Sequence, residues 1–164
     1  MTIRRRVLVV CHANTARSVM AQKLIERMVV ERGLGDRVEV RSAGVWTYAR
    51  DGMIPSLDAR LALKEVGIEL AEHAMSSTAL RDHPDLLAGS HLVVTMTAEQ
   101  SALVHALANG RGVPVVTLAE LAGETGDIAD PAGQGEDAFR AARDAIMRCL
   151  AQGFDQLIAR VTAG

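Results

Sequence analysis

An α/β fold is predicted by three features of this 164-residue chain. Short aliphatic runs recur at Val7–Val10, Leu92–Thr95 and Val113–Leu118. Between them, apolar residues repeat at helical spacing, and glycines close several of those segments. Strands that alternate with helices point to a parallel sheet covered on both faces.

The elements follow in chain order. Val7-Leu8-Val9-Val10 is an unbroken aliphatic run, the pattern of a strand buried on both faces. Arg4-Arg5-Arg6 before it is too short for a nucleic-acid tract and reads as a solvated charge block flanking the strand. Met20, Leu24, Met28 and Val29 form a helical stripe after Ser18, which Gly33 and Gly35 stop. Val38-Glu39-Val40-Arg41 alternates and suits an edge strand. Leu57, Leu61 and Val66 suggest a second helix ending at Gly67. After the strand Leu92–Thr95, Thr97 can cap a third helix, with Glu99 and Gln100 in its first turn, running to about Ala108. Val113–Leu118 is the last strand run. Ala122–Gln134, rich in Gly, Asp and Pro, reads as an ordered loop. Phe139, Ile146, Leu150, Phe154, Leu157 and Ile158 describe a long final helix that anchors it. No repeat, low-complexity tract or linker interrupts the chain, so residues 1–164 read as one domain.

Composition narrows the function classes. Apolar residues at 49% and charged residues at 23% fit a globular protein with a sizeable core. A net charge of −2 provides no basic field for nucleic acid or a membrane surface. No apolar stretch approaches the roughly 20 residues of a membrane span. The N-terminal arginines are followed by too few apolar residues for a signal peptide. Cys11 and Cys149 make no disulfide framework, and a reducing cytoplasm is the natural compartment. No Cys/His cluster has metal-ligand spacing, so neither a metal nor a cofactor is expected; His12 is read as solvent-facing rather than as a ligand.

The chemistry concentrates in Cys11-His12-Ala13-Asn14-Thr15-Ala16-Arg17-Ser18, directly after the first strand. Ligands of parallel sheets sit beyond the carboxyl ends of the strands, where Cys11 falls. The turn into the next helix aims backbone N–H groups and the positive end of the helix dipole at one point. The five residues between Cys11 and Arg17 are small or polar, which leaves room for a backbone nest around a tetrahedral anion. Arg17 can add bidentate hydrogen bonds to two of that anion's oxygens. The same field favours a thiolate over a thiol, and the thiolate is the attacking species. Ser18 can donate to the sulfur, and Asn14 tolerates the positive φ that a tight loop requires. No G-x-x-x-x-G-K-[ST] and no G-x-G-x-x-G after a strand competes for the role. A phosphoryl leaving group needs a proton, and Asp127 and Asp130 are the nearby carboxylates. Asp130 is the better candidate, because Pro131 holds its backbone extended and the loop stiff.

Together, C-H-A-N-T-A-R-S after V-L-V-V, R-S-A-G at 41–44, G-I-E-L-A-E-H at 67–73, V-T-M-T at 94–97 and D-P at 130–131 resemble the low-molecular-weight protein tyrosine phosphatases over nearly the whole chain. The resemblance implies a single three-layer domain with a four-stranded parallel sheet, no metal, and a phosphocysteine intermediate. It implies that Cys11 is the nucleophile, that Arg17 binds phosphate and that Asp130 is the acid and later the base. Asn14, Ser18, Ser42 and His73 match positions that brace the loop, and the implied partner is a phosphorylated protein.

Several positions depart from the family pattern. Ala16 stands where a second loop cysteine is usual, so the reversible disulfide that shields the nucleophile is unavailable, and Cys149 on the last helix reads as packing. Val19 replaces a proline and Ala13 a glycine, the latter mild if φ is negative there. Ala132-Gly133 replaces aromatic residues that sandwich a phenyl ring in phosphotyrosine-specific members, leaving Trp46 or Tyr48 as the possible wall. Thr15 resembles the loop threonine of the phosphoarginine-hydrolysing branch. The expected function is therefore hydrolysis of phosphotyrosine or phosphoarginine residues. The alternatives are an arsenate reductase of the same fold coupled to a small thiol, which D-P-A-G-Q-G at 130–135 resembles, and a non-catalytic anion-binding module. Sequence does not fix the oligomeric state.

Overall fold

The computed structural model describes residues 3–163. Its elements are β1 (Arg5–Cys11), α1 (Arg17–Glu31), β2 (Val38–Gly44), α2 (Leu57–Lys64), α3 (Pro84–Ala88), β3 (Leu92–Thr95), α4 (Ala98–Ala108), β4 (Val115–Thr117), α5 (Leu118–Leu121) and α6 (Glu136–Thr162). A 3-10 turn at Leu80–Asp82 precedes α3. The four strands form one sheet in the order β2-β1-β3-β4, parallel throughout.

The order places β1 at the centre. The chain leaves it towards β2 on one side and later returns to β3 on the other, so the sheet changes winding direction beside the carboxyl end of β1. Loops diverge at such a point and leave a crevice. Cys11 is the last residue of β1 and pairs in register with Gly44, the last of β2.

The period of two sorts the aliphatic residues of β1 between two cores. Val7 and Val9 join α1 and α6 in the larger core, with Met20, Leu24, Ile25, Ile146, Leu150, Phe154 and Leu157. Leu8 and Val10 face the other layer, with Leu80, Leu86, Leu87 and Val104. All four residues of Val7–Val10 are inaccessible to solvent. Burying an aliphatic side chain contributes about 1.5–3 kcal/mol relative to exposure, which holds β1 between both layers.

The expected strand at Val113–Leu118 is shorter. Thr117 ends it by turning its hydroxyl to accept the backbone N–H of Glu120, which starts α5 at once. The arginine triplet is not a free block either: Arg5 and Arg6 lie within β1, and Arg6 Nε donates to Glu39 Oε1 at 2.6 Å on the neighbouring strand. Thr97 caps α4 as expected, and Gln100 closes a reciprocal capping box. Cys149 is buried in the larger core, and that burial pushes its thiol pKa up, the signature of an inert packing cysteine. Among the described residues, no helix is long and apolar enough to cross a membrane.

Two predictions follow from packing and linkage. Gly153 brings α6 onto α5 so closely that a Cβ there would lie 2.7 Å from the Leu121 carbonyl carbon and oxygen. Gly153→Ala is expected to cost about 1–3 kcal/mol, read as a fall in Tm by calorimetry; an unchanged Tm would mean that α5 yields freely. At the other end of the sheet, the Arg6 backbone N–H donates to His91 Nδ1 at 2.9 Å, which requires a neutral imidazole. Burial first, then the charges of Arg5 and Arg6, lower the pKa of His91. The unfolded chain therefore takes up this proton first. The stability is fully present above the usual value of about 6.5 and is lost as pH falls below it. His91→Gln keeps an acceptor without a titration, and its Tm should fall less than that of wild type between pH 7.5 and 5.5.

Candidate active site

The loop from Cys11 to Arg17 is built around Asn14. Its φ is 62°, the left-handed region, and its side chain is only 1% exposed. The amide Nδ2 donates to Ser18 Oγ at 2.8 Å and Ser42 Oγ at 2.9 Å, and Oδ1 accepts the Thr78 backbone N–H at 3.0 Å. One side chain thus ties the loop to α1, to β2 and to the segment before the 3-10 turn. The Ser42 hydroxyl passes the tether on by donating to Gln22 Oε1. Ala13 does not share the positive φ, so a side chain is accommodated where a glycine was not needed.

Backbone contacts complete the frame. Val45 N–H donates to Cys11 O and Trp46 N–H to His12 O, both at 3.0 Å, while Ser56 N–H donates to Thr15 O at 2.9 Å. Gly44 allows this approach: a Cβ there would lie 2.7 Å from His12 O. Into this frame Cys11 Sγ projects, 2.9 Å from Ser18 Oγ and 3.3 Å from the Asn14 backbone nitrogen that donates to it. Ala16 precedes α1 without a capping side chain, and no acidic residue sits in the first turn. The positive helix end is therefore not neutralised by the protein itself.

Arg17 is 3% exposed yet charged. Its guanidinium donates to Ile128 O at 2.8 Å and lies 3.7 Å from Asp130 Oδ2, which brings the 122–135 loop over the Cys11 loop. Asp130 Oδ1 accepts the Ala132 N–H at 3.0 Å, and Gln134 Nε2 donates to Asp130 O. The carboxylate is oriented but half exposed, so a proton can enter and leave. Asp127 is engaged elsewhere, accepting the Ala98 N–H at the start of α4. Cys11, His12, Ala13, Thr15, Ala16, Arg17, Tyr48, Asp130 and Ala132 enclose a cavity of about 140 Å³. A larger cleft of about 410 Å³, between α2 and α6, is lined by Leu61, Ala62, Lys64, Glu65 and Arg140 among others and by no cysteine, serine or threonine.

Three sequence expectations need correction. His73 does not brace the loop: it lies in the turn closed by Ala74 N–H to Ala71 O, its side chain is 82% exposed, and its partner is Glu72. The tether expected of it is the Thr78 backbone N–H. His12 is not solvent-facing but half buried, stacked on Trp46 with ring centroids 4.2 Å apart. Trp46 consequently sits behind His12, and Tyr48 is the aromatic residue on the cavity. Burial and the Asp130 charge raise the Tyr48 pKa, so its phenol stays protonated. Sequence reading missed Gln22, Thr78 and the Ile128 carbonyl, none of which carries a motif. Gln100, which reaches His12, was signalled only as part of a helix cap.

The model of the family described as low molecular weight phosphotyrosine protein phosphatase matches residues 6–163. The protein-arginine-phosphatase of Geobacillus stearothermophilus is 35% identical over 139 residues, covering 85% of this chain and 86% of that protein. A structure of a YwlE mutant from Bacillus subtilis superposes with a TM-score of 0.82 at 32% identity, over 94% of this chain and 99% of that one. A cysteine-to-serine mutant of YwlE arginine phosphatase, with a phosphorylated active-site serine, gives 0.81 at 32% identity, over 93% and 95%. With Cys11, Arg17 and Asp130 gathered at one strand end and the match running the length of the fold, this chain belongs to the low molecular weight phosphotyrosine protein phosphatase family.

Proposed function

We propose that this enzyme hydrolyses phosphoarginine residues in proteins, with Cys11 as nucleophile, Arg17 as phosphate clamp and Asp130 as proton carrier. The convergence of the Cys11 thiol, the uncapped start of α1 and the Arg17 guanidinium on one small cavity carries the reading. In the first step, Cys11 sulfur attacks phosphorus, an S–P bond forms and the P–N bond breaks. The protonated Asp130 carboxyl gives its proton to the departing nitrogen. In the second, Asp130 carboxylate removes a proton from water, the water oxygen attacks phosphorus and the S–P bond breaks. Inorganic phosphate and the thiolate result. Backbone N–H groups and Arg17 balance the charge that gathers on the equatorial oxygens.

Phosphoarginine is favoured over phosphotyrosine by the cavity walls. Tyr48 stands on one side, but the 122–135 loop contributes Asp130 and Ala132, neither of them aromatic. A phenyl ring would stack on one face only. Thr15 places a small polar side chain on the same cavity, suited to the N–H groups of a guanidine. Two relatives named protein-arginine-phosphatase point the same way.

Phosphate release is expected to vanish in Cys11→Ser, and Asp130→Asn should slow turnover by about 10²–10⁴-fold, the usual loss for a general acid. An unchanged rate in the second variant would move proton transfer to another group. With p-nitrophenyl phosphate as a reference for basal phosphatase activity, a phosphoarginine peptide should give a higher kcat/KM than a phosphotyrosine peptide. The reverse order would overturn the substrate assignment while leaving the phosphatase reading intact.

A further inference from the structure

His12 follows Cys11 directly, and two neighbours fix its imidazole. Its ring lies 4° from parallel to the Trp46 indole. Its Nδ1 meets Gln100 Nε2 at 2.6 Å. The far end of Gln100 decides which atom of this pair is the donor. Gln100 Oε1 accepts the backbone N–H groups of Met96 at 2.9 Å and Thr97 at 3.1 Å, which an amide nitrogen could not do. The end facing His12 is therefore the NH₂ group, a donor, and Nδ1 must be unprotonated. His12 is held as the neutral tautomer with its proton on Nε2. Gln100 is fully buried and locked by the capping box, so it cannot turn over to suit a charged histidine.

The charged groups around this ring are Arg17, Asp130 and Glu99. Burial first, then Arg17, lower the His12 pKa, and the two carboxylates oppose them. Of the site's two basic side chains on the cavity, Arg17 is thus a cation and His12 is not.

We propose that His12 is a specificity-determining residue, a cavity wall that Gln100 keeps uncharged so that a cationic leaving group can form and depart beside Arg17. The inference rests on the phosphoarginine reading. The phosphorylated guanidine enters as a guanidinium cation bonded to an anionic phosphoryl group. When the P–N bond breaks and the nitrogen takes the Asp130 proton, the anionic phosphoryl group stays on sulfur and the side chain departs as a separate guanidinium cation. A phenol leaves neutral. A second cation in the wall would oppose the first departure through like-charge repulsion and leave the second unopposed.

Gln100→Glu reverses the chemistry at one atom. Glutamate serves equally well in the capping box and still accepts from Met96 and Thr97. Its second oxygen, facing Nδ1, demands a proton there, and its negative charge beside the ring favours keeping the Nε2 proton as well, which makes His12 an imidazolium. Ring-nitrogen NMR should show Nδ1 bare and Nε2 protonated in wild type, and both protonated in Gln100→Glu. The ratio of kcat/KM for a phosphoarginine peptide to that for p-nitrophenyl phosphate should fall about tenfold or more in Gln100→Glu. Adding His12→Gln, which cannot be charged, should restore the ratio. Should Gln100→Glu not fold, His12→Lys and His12→Gln in the wild-type background pose the same test, with only the lysine selectively losing phosphoarginine turnover. A protonated Nδ1 in wild type, or equal losses on both substrates, would overturn the inference and leave the phosphoarginine assignment standing. No turnover of phosphoarginine by wild type alongside turnover of p-nitrophenyl phosphate would overturn both.

Discussion

The buried amide of Asn14 is the interaction on which the rest of the site depends. Its left-handed backbone turns the loop so that the Asn14 N–H faces Cys11 Sγ, and its side chain fixes three separate elements at once. Each bond is worth only about 0.5–1.5 kcal/mol net. Their value lies in direction: Ser18 Oγ accepts a hydrogen bond from the Asn14 amide, which leaves its own hydroxyl proton free to be donated to the sulfur. The hydrogen-bond chain from Thr78 to Gln22 therefore decides which way the hydroxyl beside Cys11 points. No described buried side-chain nitrogen or oxygen is left without a partner, those of the frame included.

Sheet topology supplies the second constraint. Because β1 lies between β2 and β3, Cys11 emerges where loops from both sides converge: Val45, Trp46 and Tyr48 from one, the start of α4 from the other. His12 joins them, stacked on the first group through Trp46 and bonded to the second through Gln100. The cavity takes its walls from the Cys11 loop, from Tyr48 after β2 and from Asp130 and Ala132 before α6, while both crossovers act together on the one imidazole in its lining.

The fold was legible because its signals are local. Four aliphatic runs, the glycines at 33 and 67, and the Thr97 cap each speak within a few residues of themselves. Cys11, Asn14, Arg17 and Ser18 were legible for the same reason, since one strand-to-helix turn contains them all. The misread parts are those decided by distant partners. His73 is the exception: only the family resemblance assigned it to the loop, and the turn after the buried Leu70 leaves it exposed. His12 looks solvent-facing until Trp46, from another crossover, covers it. Thr117 and Val116 are equally good strand residues, and only the hydroxyl's bond to Glu120 shows that one of them starts a helix.

The bond from Arg17 to the Ile128 carbonyl has a bearing on biosynthesis. It joins residues 111 positions apart in the chain. A polypeptide made from its N-terminus carries the thiol and the guanidinium long before Ile128 exists to aim the latter. Until β3, β4 and the 122–135 loop have docked, the arginine has no fixed direction and the cavity lacks the wall that includes Asp130 and Ala132. The proposed anion site is consequently a property of the finished domain.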